Sequence, residues 1–299
     1  MVSTGVIVGV VVIVVGLVIG ITIAFALSYR NRPSITFPSP LQEFREPVIW
    51  TYWEGPKPAI IEMCEESIHY QAKRAGLQVI GVTPHTLTNY VKMPEVYHTL
   101  LTPSQRSDVL RCALLYAYGG IWLDMDVIAT GDFSIFRKLF QRKKLFAYRI
   151  EELANSYSMA CLISKARLPA TEKWFRAVMK KLVNLHTQPE SLKDLGIGVL
   201  WKIFKTNPEE VTSLESGKTV EVLYKNKVED LCVFYRPFQP FIVLFHSKFD
   251  KELKKKSREE LAKDDSNMCR LLSNYKDFSL ACSSSSFVNK SATSGSTVA

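Results

Sequence analysis

Thr102 to Asp126 reads TPSQRSDVLRCALLYAYGGIWLDMD. Thr102 is a capping residue, Pro103 suits the first helical position and Gln105 completes a capping box, so a helix starts here. It carries Asp108 and Arg111, runs to Tyr118 and stops at Gly119, where a left-handed residue is needed. IWLDMDVI then reads as a strand in which Trp122, Asp124 and Asp126 share one face and Leu123, Met125 and Val127 the other. Ligands of open α/β sheets gather at the carboxyl ends of strands, and the aspartates lie toward that end. Unpaired carboxylates there repel and are costly to bury. A hard divalent cation removes that cost and commonly bridges carboxylates to phosphates. Asp108 and Arg111, three apart on a helix, suit either a surface ion pair or a site in which a carboxylate holds hydroxyls and a guanidinium clamps an anion.

Upstream of this segment, VIWTYWE (from Val48) is β-rich, GPKP turns, Ala59 to Ala75 has helical apolar spacing and Leu77 to Val82 is a short apolar strand. This is a βαβ opening. Downstream, strands are predicted at Leu145 to Ile150, Ser158 to Ser164, Thr219 to Leu223 and Cys232 to Tyr235, and helices at Pro169 to Leu185 and Ile197 to Lys205. The alternation predicts an α/β domain with a mostly parallel sheet.

The chain has 299 residues, enough for a sizeable core. Gly5 to Leu27 is an uncharged Val/Ile-rich run of membrane-spanning length with no evident cleavage site, which predicts an uncleaved transmembrane anchor over residues 1–28. Residues 29–47 read as a proline-rich stem, 48–282 as the folded domain and 283–299 as a low-complexity tail. No Lys or Arg precedes the span, whereas Arg30, Arg32 and Arg45 follow it. The positive-inside rule therefore favours a cytoplasmic domain. A Golgi-type lumenal domain, usually preceded by basic residues, has only the Asn289-Lys290-Ser291 sequon in its favour.

The six cysteines show no C-x-x-C spacing, which argues against a disulfide framework or a zinc site. The net charge of +9 concentrates in Arg137 to Lys144 and Lys248 to Arg258. Such a surface suits a solvated helix face, anionic lipid or an anionic nucleotide; no stacking aromatics are interleaved, which excludes a nucleic-acid reading.

SDVLRCALLYAYGGIWLDMD and VIWTYWEGPKP resemble the DXD-motif sugar-transferase family that includes capsular polysaccharide synthesis proteins, fungal initiating mannosyltransferases and clostridial glucosylating toxins. The opening is most similar to the capsular branch, and Trp122 stands where Tyr is commoner. The resemblance implies a GT-A-like, Rossmann-type nucleotide-sugar-binding domain, with Mn2+ or Mg2+ and a nucleoside-diphosphate sugar as donor. It implies a glycan, polysaccharide or glycolipid as acceptor and retention of anomeric configuration. By the same resemblance Trp53 stacks on the base, Asp108 and Arg111 hold the donor sugar, and Asp124 contacts ribose and sugar directly or through the metal. Asp126 is the principal metal ligand, Asn155 lies near the sugar and His246 approaches the diphosphate or metal. One departure stands out: the family's Thr-Gly-Pro is here Leu195-Gly196-Ile197-Gly198, to which no role is assigned.

Two other functions compete. One is a catalytically silent, membrane-tethered binder of sugar nucleotide or polysaccharide. The other is an aspartate-nucleophile phosphohydrolase, for which LDMDVIAT is a loose match and Lys263-Asp264-Asp265 would supply later ligands. Against the latter, Ile128 stands where Thr or Val is expected, and that chemistry has no use for Asp108, Arg111 or Trp53.

Overall fold

The computed structural model describes residues 17, 19–20, 40–41, 44–149, 157–183, 195–214, 220–223, 242–245, 253–264 and 267–276. The chain divides into two compact units, Met1–Phe37 and Pro38–Ala299. In the first, the described residues Leu17, Ile19 and Gly20 are helical, with Leu17 and Ile19 exposed. Most of Gly5 to Leu27 lies outside the described residues, among which no helix is long and apolar enough to cross a membrane. The strand expected at Cys232 to Tyr235 and the tail 283–299 also lie outside them.

The second unit opens with β1 (Val48–Tyr52), α1 (Ala59–Arg74) and β2 (Gln78–Val82). β1 and β2 pair in parallel, Val48 opposite Gln78 and Tyr52 opposite Val82, as the βαβ reading requires. Short helix α2 (Glu95–Leu100) precedes α3 (Pro103–Ala117), which leads into β3 (Gly119–Leu123). β3 pairs in parallel with β1, Trp50 opposite Trp122.

The expected capping box on α3 is present: Gln105 N–H donates to Thr102 Oγ1, and the Thr102 N–H donates to Gln105 Oε1 at 2.9 Å. Gly119 and Gly120 make the turn with φ of +67° and +100°. A Cβ on Gly119 would collide with the backbone of Ser164 and Ala166, and one on Gly120 with the Val48 carbonyl. Conformation and space both demand glycine at these two positions.

The chain continues through β4 (Val127–Ala129), α4 (Ser134–Gln141), β5 (Leu145–Arg149), β6 (Tyr157–Lys165), α5 (Pro169–Val183), α6 (Ile197–Thr206) and β7 (Val211–Leu214). β8 (Val220–Leu223), β9 (Ile242–Phe245), α7 (Arg258–Lys263) and α8 (Asn267–Ser273) follow. The main sheet has the order β2-β1-β3-β6-β5-β7. It is mixed and mostly parallel: β6 alone runs against its neighbours β3 and β5, and β5 pairs in parallel with β7.

One expectation needs correction. IWLDMDVI is not one strand: β3 ends at Leu123, Asp124 to Asp126 form a turn, and β4 belongs to a second sheet of order β4-β9-β8. The reason is a second hydrophobic core. Met125 is buried against Ile60, Ile61 and Cys64 of α1 and Leu271 and Leu272 of α8, which draws the chain out of the main sheet. The principal core lies against the main sheet, where Ile49, Ile121, Leu123 and Ile163 meet Ile68 of α1 and Phe136 of α4.

Candidate active site

Trp53 and Asp124 follow the carboxyl ends of the neighbouring parallel strands β1 and β3. That edge is where ligands of such sheets bind. Within the turn, burial of Met125 leaves Asp124 and Asp126 only partly covered. Asp124 is held at several atoms. Its N–H donates to the Ala160 carbonyl at 2.9 Å, and its Oδ1 accepts from Trp122 Nε1 at 2.7 Å. The same Oδ1 lies 3.3 Å from Arg111 Nη2.

Arg111 organises this cluster. It is only 4% exposed, and the same Nη2 reaches Asp108 Oδ1 at 3.1 Å. Nη1 donates to the Met159 carbonyl at 2.6 Å and Nη2 to Ser107 Oγ at 2.9 Å. The guanidinium carbon sits 5.0 Å from the centre of the Trp122 ring. The Asp108–Arg111 pair is therefore not on the surface. It joins α3 to the DXD turn and to β6, and the guanidinium spends much of its donor fork on the protein's own groups. Burial raises the Asp108 carboxyl above its ordinary range, the Arg111 charge pulls it down and the Asp124 charge pushes it up.

Trp53 is half-buried beside the second core; its N–H donates to the Val82 carbonyl and its Nε1 to the Pro56 carbonyl, 3.3 Å away. Asn155 and His246 lie outside the described residues. Among the described residues no group of three or more His, Cys, Asp or Glu gathers as a metal cage. Asp264, proposed above for the phosphohydrolase alternative, is paired with Lys256.

Comparison with known proteins finds a match between residues 29–187, more than half of the chain, and the model of a family described as capsular polysaccharide synthesis protein. The chain belongs to that family. With that membership the enzyme class expected from the sequence, a glycosyltransferase, holds. No curated protein is a significant match.

Among solved structures, this capsular-family chain is similar to the PaToxG glycosyltransferase at 16% identity and a TM-score of 0.39, covering 57% of this chain and 71% of that one. It is also similar to a glycosyltransferase involved in glycosylation of the major capsid of PBCV-1, at 10% identity and 0.44, covering 70% and 98%. A third is the glycosyltransferase GlyE of Streptococcus pneumoniae TIGR4, at 15% and 0.46, covering 85% and 66%. These are partial likenesses of the chain trace, and the assignment rests on the family match.

The structure adds residues to the capsular-family site that sequence reasoning left without a role. Trp122 was placed on the face of the aspartates and noted as a departure, without a role, yet its indole fixes Asp124. Gly196 caps the N-terminus of α6 so close to Asp108 that a Cβ would lie 2.7 Å from Oδ2 and 3.1 Å from Met159 Sδ. The LGIG stretch carried a signal, a glycine before a helical pattern, but nothing in the sequence said what it faces.

Proposed function

We propose that this protein is a membrane-anchored, metal-dependent glycosyltransferase. It would move a hexose from a nucleoside-diphosphate sugar to a hydroxyl of a glycan, polysaccharide or lipid, with retention. The reading rests on one observation: Asp108, Arg111 and Asp124, from a helix and a strand end, meet at the carboxyl edge of the parallel strands.

A cation fits this turn as a carboxylate-plus-substrate site, not as a closed cage. Asp124 commits Oδ1 to Trp122 and Arg111, so Oδ2 is the oxygen that meets a ligand, and Asp126 stands two residues on. Mg2+ and Mn2+ are commonly held by one or two carboxylates together with substrate phosphates and water. When bound by Asp124 and Asp126, the ion supplies Lewis-acid stabilisation of the departing diphosphate.

The chain's own groups do the rest. Trp53 offers a ring to the base beside β1, and Asp108 accepts hydrogen bonds from donor-sugar hydroxyls. Arg111 holds both carboxylates in place and lends positive potential to the edge where the leaving group's charge develops. In the reaction the bond from the anomeric carbon to the diphosphate oxygen breaks. A bond from that carbon to the acceptor oxygen forms, and the acceptor's proton is released.

The anchor reading uses the uncharged Gly5 to Leu27 run, of which Leu17 and Ile19 are helical and exposed, and the flanking arginines favour a cytoplasmic over a lumenal domain. The functional test is to incubate the full-length chain with UDP- and GDP-hexoses and Mn2+ and to assay nucleoside diphosphate. Its metal-dependent release is expected. Metal-dependent phosphate release from simple phosphomonoesters, without nucleoside diphosphate, would refute the assignment.

A further inference from the structure

A second ionic cluster lies beside the site. Glu54, the residue after Trp53, accepts from Arg106 at both oxygens: Nε to Oε1 and Nη2 to Oε2, each at 2.7 Å. Arg106 Nη1 also donates to the Leu101 carbonyl at 2.5 Å. Glu54 Oε1 accepts from the Tyr52 hydroxyl as well. The pair is largely shielded from water, with 19% of the Arg106 side chain and 14% of the Glu54 side chain exposed. Tyr97, 1% exposed, closes the cluster from α2; its hydroxyl is near that of Tyr52 and makes no well-formed hydrogen bond. The Arg106 bond is the first cause that lowers the Glu54 carboxyl.

The location of this pair is informative. Glu54 adjoins the residue proposed to meet the base. Arg106 sits in the first turns of α3, the helix that also carries Asp108 and Arg111. At about 1.5 Å of rise per residue, Arg106 lies roughly 3 Å along the helix axis from Asp108 and 7.5 Å from Arg111. A bidentate guanidinium–carboxylate pair fixes both distance and orientation, which a lysine in the same place does not. Both Glu54 oxygens are engaged, so this carboxylate is neither a free base nor an open metal ligand.

We infer that Glu54 and Arg106 are positioning residues that fix the base-binding Trp53 against the sugar-binding helix, setting the span across which a nucleoside-diphosphate sugar is gripped. The inference rests on the function proposed above. Were the pair only a stabiliser of the fold, disrupting it would lower the unfolding midpoint without favouring one kinetic parameter. A pair acting through Trp53 moves donor binding and loses its effect when Trp53 is removed.

The test measures donor KM, kcat and thermal midpoint for the full-length chain with the UDP- or GDP-hexose it turns over fastest, in Mn2+. The variants are Arg106→Lys, Glu54→Gln, Trp53→Ala and the double Trp53→Ala/Arg106→Lys. The loss of a charge-assisted fork predicts a donor KM about tenfold higher for Arg106→Lys, with kcat within about twofold. In the Trp53→Ala background the same change moves KM by less than about twofold, the non-additivity expected of coupled residues. Arg106→Lys keeps the charge and serves if Glu54→Gln does not fold. Wild-type turnover with unchanged KM in Arg106→Lys and Glu54→Gln, or an equal KM rise from Arg106→Lys with and without Trp53, overturns the positioning role. A wild type inert toward every UDP- and GDP-hexose refutes the parent function instead, and the positioning role falls with it.

Discussion

Replacing Arg111 by Met tests the construction of the site without reference to any substrate. The change removes the cation between Asp108 and Asp124 and leaves the Met159 carbonyl without its donor. Breaking a buried ion pair at one partner costs roughly 3–5 kcal/mol. The carboxylates keep 23% and 28% of their side chains in solvent, which reduces that figure, while the lost hydrogen bonds to Met159 and Ser107 add to it. A net loss of about 3 kcal/mol at neutral pH follows.

The sign of the pH dependence is fixed. In the variant, burial and the Asp124 charge both raise the Asp108 carboxyl, and nothing of Arg111 lowers it. A carboxyl raised in the folded state destabilises the fold fully above that raised value, and the penalty fades as pH falls from there to the ordinary Asp value. The deficit against wild type is therefore largest at neutral pH and shrinks on acidification toward the ordinary Asp value. Urea unfolding followed by tryptophan fluorescence at several pH values measures it, and Arg111→Met/Asp108→Asn should recover part of the loss. A deficit below about 1 kcal/mol, one that does not change with pH, or no recovery in the double variant would refute the reasoning.

Further outcomes are expected. Trp122→Phe deletes the 2.7 Å bond to Asp124; a hydrogen bond to a charged group is worth about 1.5–3 kcal/mol, so donor turnover falls roughly 10- to 100-fold, read as kcat/KM. Gly196→Ala presses a methyl on Asp108 Oδ2 and costs about 1–3 kcal/mol of stability, measured by urea unfolding. Arg106 depresses the Glu54 carboxyl, so the stability this adds is complete above the ordinary Glu value of 4.5 and is lost as pH falls through the depressed one. Wild type and Glu54→Gln, which differ in unfolding free energy at pH 7, should therefore converge in acid.

How much of this was legible in the sequence depended on how local each determinant is. The Thr102 and Gln105 cap, the helix that follows it and the stop at Gly119 are set by neighbours in sequence, and they were predicted where they occur. The three-residue spacing put Asp108 beside Arg111, but only tertiary structure puts Asp124 on the same guanidinium. The period-two pattern through Trp122 and Asp124 was read one turn too far. What ends the strand is the burial of Met125 against α1 and α8, whose residues are distant in sequence. The direction of β6 is likewise not written in its own residues; an apolar strand reads the same whichever way it runs. Glu54 and Arg106 meet across 52 residues, and no local pattern in the sequence marks either as half of a pair.

The central claim is that the DXD turn holds a cation for transfer from a nucleoside-diphosphate sugar. The most direct measurement is Mn2+ dependence of nucleoside diphosphate release by wild type and Asp126→Ala. The account predicts saturable activation by Mn2+ in the wild type, with turnover and that activation lost in a variant that keeps its unfolding midpoint. Equal turnover and equal Mn2+ dependence in the two proteins would contradict it.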